Sequence, residues 1–366
     1  MGRIHELLFR VDSAYTLYRN TLIEMKKIRD KRRVQLLSQI ELSTEQKQEI
    51  DKLFLNNYGR KVPYDWHRYY TSYSGHFDAR FIPENLFIPR IVAKLVNPNY
   101  SAVFADKNLL PMLVGERSGV RTAKVLLSCT EGIYRDADWR IISKQKALDY
   151  IKDIGEAFIK PTKDSDSGRG CAVVNIQNGV DLNSGRAIHE IDSSMGLNYN
   201  IQERVINSEV IARLHPNSIN TFRVITYIVD GSISHVPVAM RIGRGGNNCD
   251  NAHSGGIFIG VSDDGYLLDC AYTEFQERFK AHPDSGIEFN NYYIPGFRTV
   301  VENCKRIHER FPQIGIISWD ATIDDLGNTV IIELNLVGQS LWMNQMAHGL
   351  GAFGENTERI LKMIAV

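Results

Sequence analysis

The sequence predicts an α+β fold with a helical N-terminal region. Three observations carry that expectation. Apolar residues recur at helical spacing near the start of the chain. Further on, short β-branched runs separated by turn residues read as antiparallel strands. The sharpest pair is Ile314–Asn335: an apolar run to Ile323, the turn chemistry of Asp324-Asp325-Leu326-Gly327-Asn328, and a second apolar run, Thr329–Asn335.

The chain has 366 residues, which suggests about two domains. Lys+Arg and Asp+Glu are both 43, so the net charge gives no footprint for a nucleic-acid partner. No apolar run is long enough to span a bilayer. Met1–Glu6 leads into no apolar h-region, so it does not read as a signal peptide. The five cysteines are Cys129, Cys171, Cys249, Cys270 and Cys304. They are scattered and lack metal spacing, and they read as reduced thiols of a cytoplasmic protein.

Taken in order, Ile4, Leu7, Leu8, Val11, Tyr15, Tyr18 and Leu22 predict a long amphipathic helix. Its basic end (Lys26, Lys27, Arg29, Lys31, Arg32, Arg33) reads either as a solvated helix face or as peripheral contact with an anionic membrane surface. Ser43-Thr44-Glu45-Gln46 has capping-box spacing and opens a second helix through Ile50, Leu53 and Phe54. Residues 66–83 mix aromatics with hydroxyls, imidazoles and arginines. Tyr73, His76 and Arg80 there suit recognition of a sugar or an anionic acceptor, and the same stretch also reads as a packed connection.

The middle of the chain reads as a nucleotide site. Asp106-Lys107 opens a helical stretch, Asn108–Val114, and alternating strands and helices follow. A short strand, Ala157–Pro161, carries Lys160 and runs into a small-residue loop, Thr162–Gly170, that includes Ser167 and Gly168. Such a loop lets backbone N–H groups approach phosphate, although a plain hairpin loop has the same composition. Asn200–Val205 is a strand able to carry an adenine along its edge. Val224–Val229 and His235–Arg241 read as a hairpin about Asp230-Gly231. Arg241 and Arg244 then lead into a loop of glycines and asparagines containing Asn251, where arginine suits bidentate phosphate or carboxylate contact.

In the closing hairpin, Asp320, Glu333 and Asn335 interrupt the apolar pattern. Glu333 and Asn335 are two apart and share a strand face. With Asp320 opposite, three oxygen donors converge, which suits Mg²⁺; the alternative is the wet face of an amphipathic sheet.

The order Lys107, Lys160 with its glycine-rich loop, Gln202-Glu203, Arg241, Asp320, Glu333-x-Asn335 resembles the ATP-grasp superfamily. Ser218–Arg223, Met240–Asn247, Asp250–Gly256 and Tyr73–Pro83 look more narrowly like the sugar-transfer-associated ATP-grasp proteins. The resemblance implies an ATP-grasp fold, with two α+β subdomains gripping ATP between antiparallel sheets. It divides the chain into a helical region (1–95), an N-terminal part with the lid (96–205) and a C-terminal subdomain with the metal site (206–366).

It further implies that Lys107, Lys160, Ser167 and Gly168 contact ATP phosphates. Gln202, Glu203 and Val205 line the adenine, and Asn220 stands where several relatives hold the ribose. Arg223 and Arg241 face the triphosphate and an acyl phosphate. Asp320, Glu333 and Asn335 hold one or two Mg²⁺, for which Mn²⁺ can substitute. The implied reaction is carboxylate–amine ligation through an acylphosphate, joining an amino acid or peptide to an acidic sugar or other carboxylate in polysaccharide biosynthesis. A glycan or nucleotide-sugar is an expected partner, and Tyr73, His76, Arg80, Arg244 and Asn251 are the expected substrate contacts. A phosphotransferase is the alternative. His253, His348 and Trp342 receive no chemical role, and the oligomeric state is left open.

Overall fold

The computed structural model describes residues 2–115, 119–163, 169–246 and 250–365. The fold is α+β. The N-terminal helix Gly2–Ile28 is followed by a separate short helix, Lys31–Leu37, because Asp30 caps the Arg32 N–H and starts a new turn. The basic run is therefore divided. Lys26, Lys27, Arg29, Lys31 and Arg32 lie on the surface, whereas Arg33 turns inward. Helix Thr44–Tyr58 opens on the expected capping box, with both the Ser43 and Gln46 bonds formed.

The aromatic stretch expected as a connection is a helix, Asp65–Ser74. Trp66, Tyr69, Tyr70 and Tyr73 fall at i, i+3, i+4 and i+7, so one face carries all four rings, and all four are buried. They pack against Phe258, Tyr272 and the helix Trp342–His348.

Among the described residues the strands form two sheets, one of nine and one of seven. The larger begins at Val120–Thr122, which runs parallel to Thr329–Asn335. Antiparallel neighbours follow in the order Ile316–Ile323, Thr221–Val229, Val238–Ile242, Ile257–Val261 and Leu267–Tyr272. The smaller sheet is built between Val125–Thr130 and Tyr199–Gln202, with Gly155–Pro161 beside the latter. Three of its strands, Val125–Thr130, Ile133–Asp136 and Ile141–Ile142, precede the helix Lys144–Ile151 with no helix between them, in place of the expected strand–helix alternation.

Two strand expectations are corrected. The strand carrying Gln202 ends at that residue, leaving Val205 in an irregular connection. The run 235–241 is not one strand. Pro237 has no N–H to give the ladder, so Ser232–His235 ends before it and Val238–Ile242 begins after it.

Alternation along Thr221–Val229 sets the two faces of the larger sheet. Phe222 and Val224 are fully buried, and Phe222 meets Phe297 edge to face at 5.3 Å under the helix Phe297–His308. Thr221 and Arg223 point to the opposite face, which carries the polar residues.

Candidate nucleotide and phosphate site

The polar face is a row drawn across four strands. Register places Glu333 opposite Asp320, Asp320 opposite Arg223, and Thr221 opposite Arg241. A bulge interrupts the pairing between Asp320 and Ala321, as bulges do where a strand re-aims a side chain. One Asp320 oxygen stands 3.0 Å from Arg223 Nε and the other 3.0 Å from an Arg241 terminal nitrogen, as ion pairs. Arg223 also donates to Ser318 Oγ (3.0 Å), and Arg241 donates to Thr221 Oγ1 (2.7 Å). Asp250 completes the cluster. It accepts from Thr221 at 2.5 Å and stands 3.5 Å from Arg241 Nε. Burial pushes the Asp250 carboxyl up, against the pull of Arg241.

Facing this row, the two sheets leave a narrow cleft lined by Lys107, Leu110, Val125, Lys160, Gln202 and Ile331, with Asn200 at its wall. Lys107 Nζ is 3.1 Å from Glu333. Lys160 is buried, and burial lowers its ammonium to about 8, with Lys107 adding repulsion and Glu333 opposing both. Asn200 Oδ1 is buried without a hydrogen-bond partner. The cleft as it stands is too narrow to hold a nucleotide, but its apolar walls, two lysines and one open carbonyl are the groups that a base and phosphates would use.

The sequence profile described as sugar-transfer associated ATP-grasp matches residues 90–360. The chain belongs to this family. Membership places it in the ATP-grasp superfamily, which includes carboxylate–amine ligases and whose enzymes use ATP and Mg²⁺. No curated protein matches the chain.

Among solved structures, the chain is similar to N5-carboxyaminoimidazole ribonucleotide synthetase in an ADP complex, at 13% identity over 65% of this chain and 46% of that one, TM-score 0.38. It is also similar to the D-Ala:D-Ser ligase of Enterococcus faecalis, at 14% identity, 72% and 62% coverage and TM-score 0.39. A third is the biotin carboxylase of Campylobacter jejuni, at 14% identity, 72% and 46% coverage and TM-score 0.42. The chain thus spans less than two thirds of each of these proteins.

In this ATP-grasp protein the structure brings together Lys107, Lys160, Gln202, Arg223, Arg241, Asp320 and Glu333, around the cleft and the row beside it. Ser167 and Gly168 lie outside the described residues. Asn220 does not serve the ribose. Its side chain accepts from Ser218 Oγ and Gly243 N–H and donates to the carbonyls of Ile211 and His215, so its hydrogen-bonding capacity is spent inside the protein. Glu203 keeps its carboxylate on Arg121 and the Lys124 N–H, so only its neighbour Gln202 faces the cleft.

The expected substrate contacts divide. Tyr73 is fully buried and donates to the Glu274 carbonyl at 2.5 Å, a packing role that excludes contact with a ligand. His76 and Arg80 line a separate groove of about 800 Å³ with Glu49, Lys52 and His348. Arg80 is held there by Asp78 at 3.0 Å. His348 ends the helix Trp342–His348, whose other end, Trp342, packs on Phe258, the strand partner of Arg241. The lining of that groove includes none of Lys107, Lys160, Arg223, Arg241 or Asp320. Arg244 is bound by Glu277 and the Gly255 carbonyl, and Asn251 caps the turn that follows it.

Asp250, Ser318, Thr221 and Asn200 are site residues that sequence reading passed over. Thr221, Ser318 and Asn200 are small polar residues on strands and Asp250 lies in a loop; none carries a spacing signal, and only the tertiary structure brings them in.

Asp320, Glu333 and Asn335 are oxygen donors of a type that suits Mg²⁺, with Glu333 paired opposite Asp320 and Asn335 opposite Ser318. Among the described residues no group of three His, Cys, Asp or Glu side chains forms a closed cage. Two carboxylates and an amide oxygen on adjacent strands match an ion that takes few protein ligands and completes its shell with phosphate and water. One Asp320 oxygen is buried and, despite the nearby Arg223, lacks a well-aligned hydrogen bond.

Proposed function

We propose that this protein is an ATP-dependent carboxylate–amine ligase that works through an acylphosphate, with an acidic sugar or other carboxylate as one substrate and an amino acid or peptide amine as the other. One observation carries the reading: the arginines of the row, tied to a single buried aspartate, stand beside a cleft that holds two lysines. The substrate's carboxylate attacks the γ-phosphorus of ATP, the bond to the β,γ-bridging oxygen breaks, and ADP leaves. Four cations offset the repulsion between two anions, and holding both in line supplies much of the remaining acceleration. Lys107 and Lys160 hold phosphate oxygens on the cleft side. Arg223 and Arg241 take the oxygens that gain charge, and Asp320 keeps both guanidinium planes aimed.

Asp320, Glu333 and Asn335 are the residues that would hold Mg²⁺, which supplies charge neutralisation between phosphates when bound. Polysaccharide biosynthesis as the setting is supported by the family's sugar-transfer association alone.

The test is incubation with ATP, Mg²⁺ and panels of amino acids and uronic acids, with and without hydroxylamine, read by mass spectrometry. A hydroxamate or amide together with ADP and phosphate supports the ligase. A stable phosphorylated product would make the protein a phosphotransferase instead.

A further inference from the structure

Beside the arginine row stands a dyad that the reaction above does not use. Asp250, in contact with Arg241, leads through Asn251 into the single turn Ala252–Ser254. Asn251 Oδ1 accepts the His253 N–H at 2.9 Å and fixes that turn. His253 Nδ1 lies 2.7 Å from Glu274 Oε2. An ionised carboxylate only accepts, so Nδ1 carries the proton and Nε2 presents its lone pair. Among the described residues Nε2 has no partner.

Glu274 is fixed from three sides: by His253, by Arg33 at 2.9 Å on its other oxygen, and by the Tyr73 hydroxyl on its carbonyl. Burial would raise the Glu274 carboxyl, but His253 and Arg33 outweigh it and hold the group ionised. The two partners differ in exposure: the carboxylate is 11% exposed and the imidazole 53%. The imidazole also lies beside Trp342 (6.1 Å), which packs on Phe258, the strand partner of Arg241. An outward basic nitrogen, oriented from behind by a held carboxylate, has the arrangement of a general base.

We propose that His253 is the general base of the amide-forming step, with Glu274 as its positioning residue and Arg33 bracing Glu274 from the N-terminal region. The inference rests on the ligase reading. The incoming amine is an ammonium ion at neutral pH and has no free lone pair. His253 Nε2 takes one proton from it and becomes imidazolium, stabilised by Glu274. The freed nitrogen pair attacks the acyl carbon and forms the C–N bond. The carbon–oxygen bond to phosphate breaks, with its electron pair leaving on phosphate. That phosphate takes the second nitrogen proton, and His253 returns its own to water.

The test compares wild type, His253→Gln and Glu274→Gln, using the carboxylate that releases ADP in the panel above. Each is run once with its amine and once with hydroxylamine, which is uncharged at neutral pH and needs no base. His253→Gln is expected to lose amide formation by about 10²- to 10⁴-fold. Hydroxamate formation should fall far less, and the amide loss should shrink as rising pH frees the amine. Glu274→Gln should move the acid limb of the amide pH profile to lower pH, because the imidazolium loses its counter-charge. Equal losses of amide and hydroxamate in His253→Gln, or no loss of amide, would overturn the assignment while leaving the ligase reading intact. Absence of hydroxamate from wild type would instead remove the ligase reading, and the base with it.

Discussion

Asp320 shows why one residue can serve both stability and chemistry. It is 3% exposed and bridges two arginines that are themselves largely buried. Asp320→Asn should therefore abolish turnover and also destabilise the fold by about 3–5 kcal/mol, because it leaves two buried cations facing each other. Glu333 is more open, and its ion pair is with Lys107. Glu333→Gln should cost about 10²-fold or more in ATP turnover with an unchanged thermal melt; normal Mg²⁺-dependent turnover in that variant would remove the metal assignment.

Glu84 makes a separate case. Burial, with Glu24 nearby, pushes its carboxyl from an ordinary 4.5 up to about 8, and one of its oxygens is buried without a partner. The folded state thus keeps a proton that the unfolded state releases. The stability from this group is complete below about pH 4.5 and is lost as pH rises through about 8. Glu84→Gln can still accept the Leu341 N–H and carries no charge. The melting temperature of the variant should gain on wild type between about pH 5 and pH 8 and level off above that, and a constant difference across that range would contradict the protonated acid.

At the scale of elements, the helix Asp65–Ser74 is where two readings of one stretch part. Its aromatic face is core, with Tyr73 edge-on to Tyr69 at 5.4 Å and to Tyr272 at 5.6 Å. Tyr73→Ala should lower stability by about 3–5 kcal/mol, as truncation of a large buried ring does. ATP affinity measured calorimetrically below the melting transition should stay near wild type. An intact melt with weakened binding would return Tyr73 to the list of ligand contacts. The spacing 66, 69, 70, 73 is legible in the sequence, but His67, Arg68, Thr71 and Ser72 between these positions give the stretch the composition of a polar binding loop as well.

Across the whole molecule, the two sheets must adopt one defined relation for the cleft to fit a nucleotide. Arg121 sits on that joint. Its Nε meets Asp324, in the turn of the closing hairpin, at 2.7 Å, and it also binds Glu203, just beyond the strand that carries Gln202. Arg121 is about a third exposed but its partner Asp324 is fully buried, so Arg121→Ala should lower global stability by about 1–3 kcal/mol. ATP affinity should also fall roughly tenfold, since misplacing one wall of the cleft weakens contacts from the other. Titration calorimetry with ATP and Mg²⁺ checks this, and wild-type affinity would mean that the sheets are held together elsewhere.

The sequence by itself determined the α+β class, the capping box at Ser43, the closing hairpin and the pairing of Asp320 with Glu333. Each rests on local periodicity or turn chemistry, which neighbouring residues fix among themselves. The order of lysines, arginines and acids was enough to expect an ATP-grasp protein. Tertiary structure alone decided what those side chains touch. Asn220 could be read as a ribose ligand until Ser218, Gly243, Ile211 and His215 were found to use all of its hydrogen bonds. Arg80 is held by Asp78 in a groove that contains none of the row's residues, which its place in the sequence does not reveal. His253 and Glu274 are 21 residues apart, and Arg33 is 241 residues from Glu274. No periodicity reaches across such distances, because strand register and helix docking, which join them, depend on the burial of the whole core.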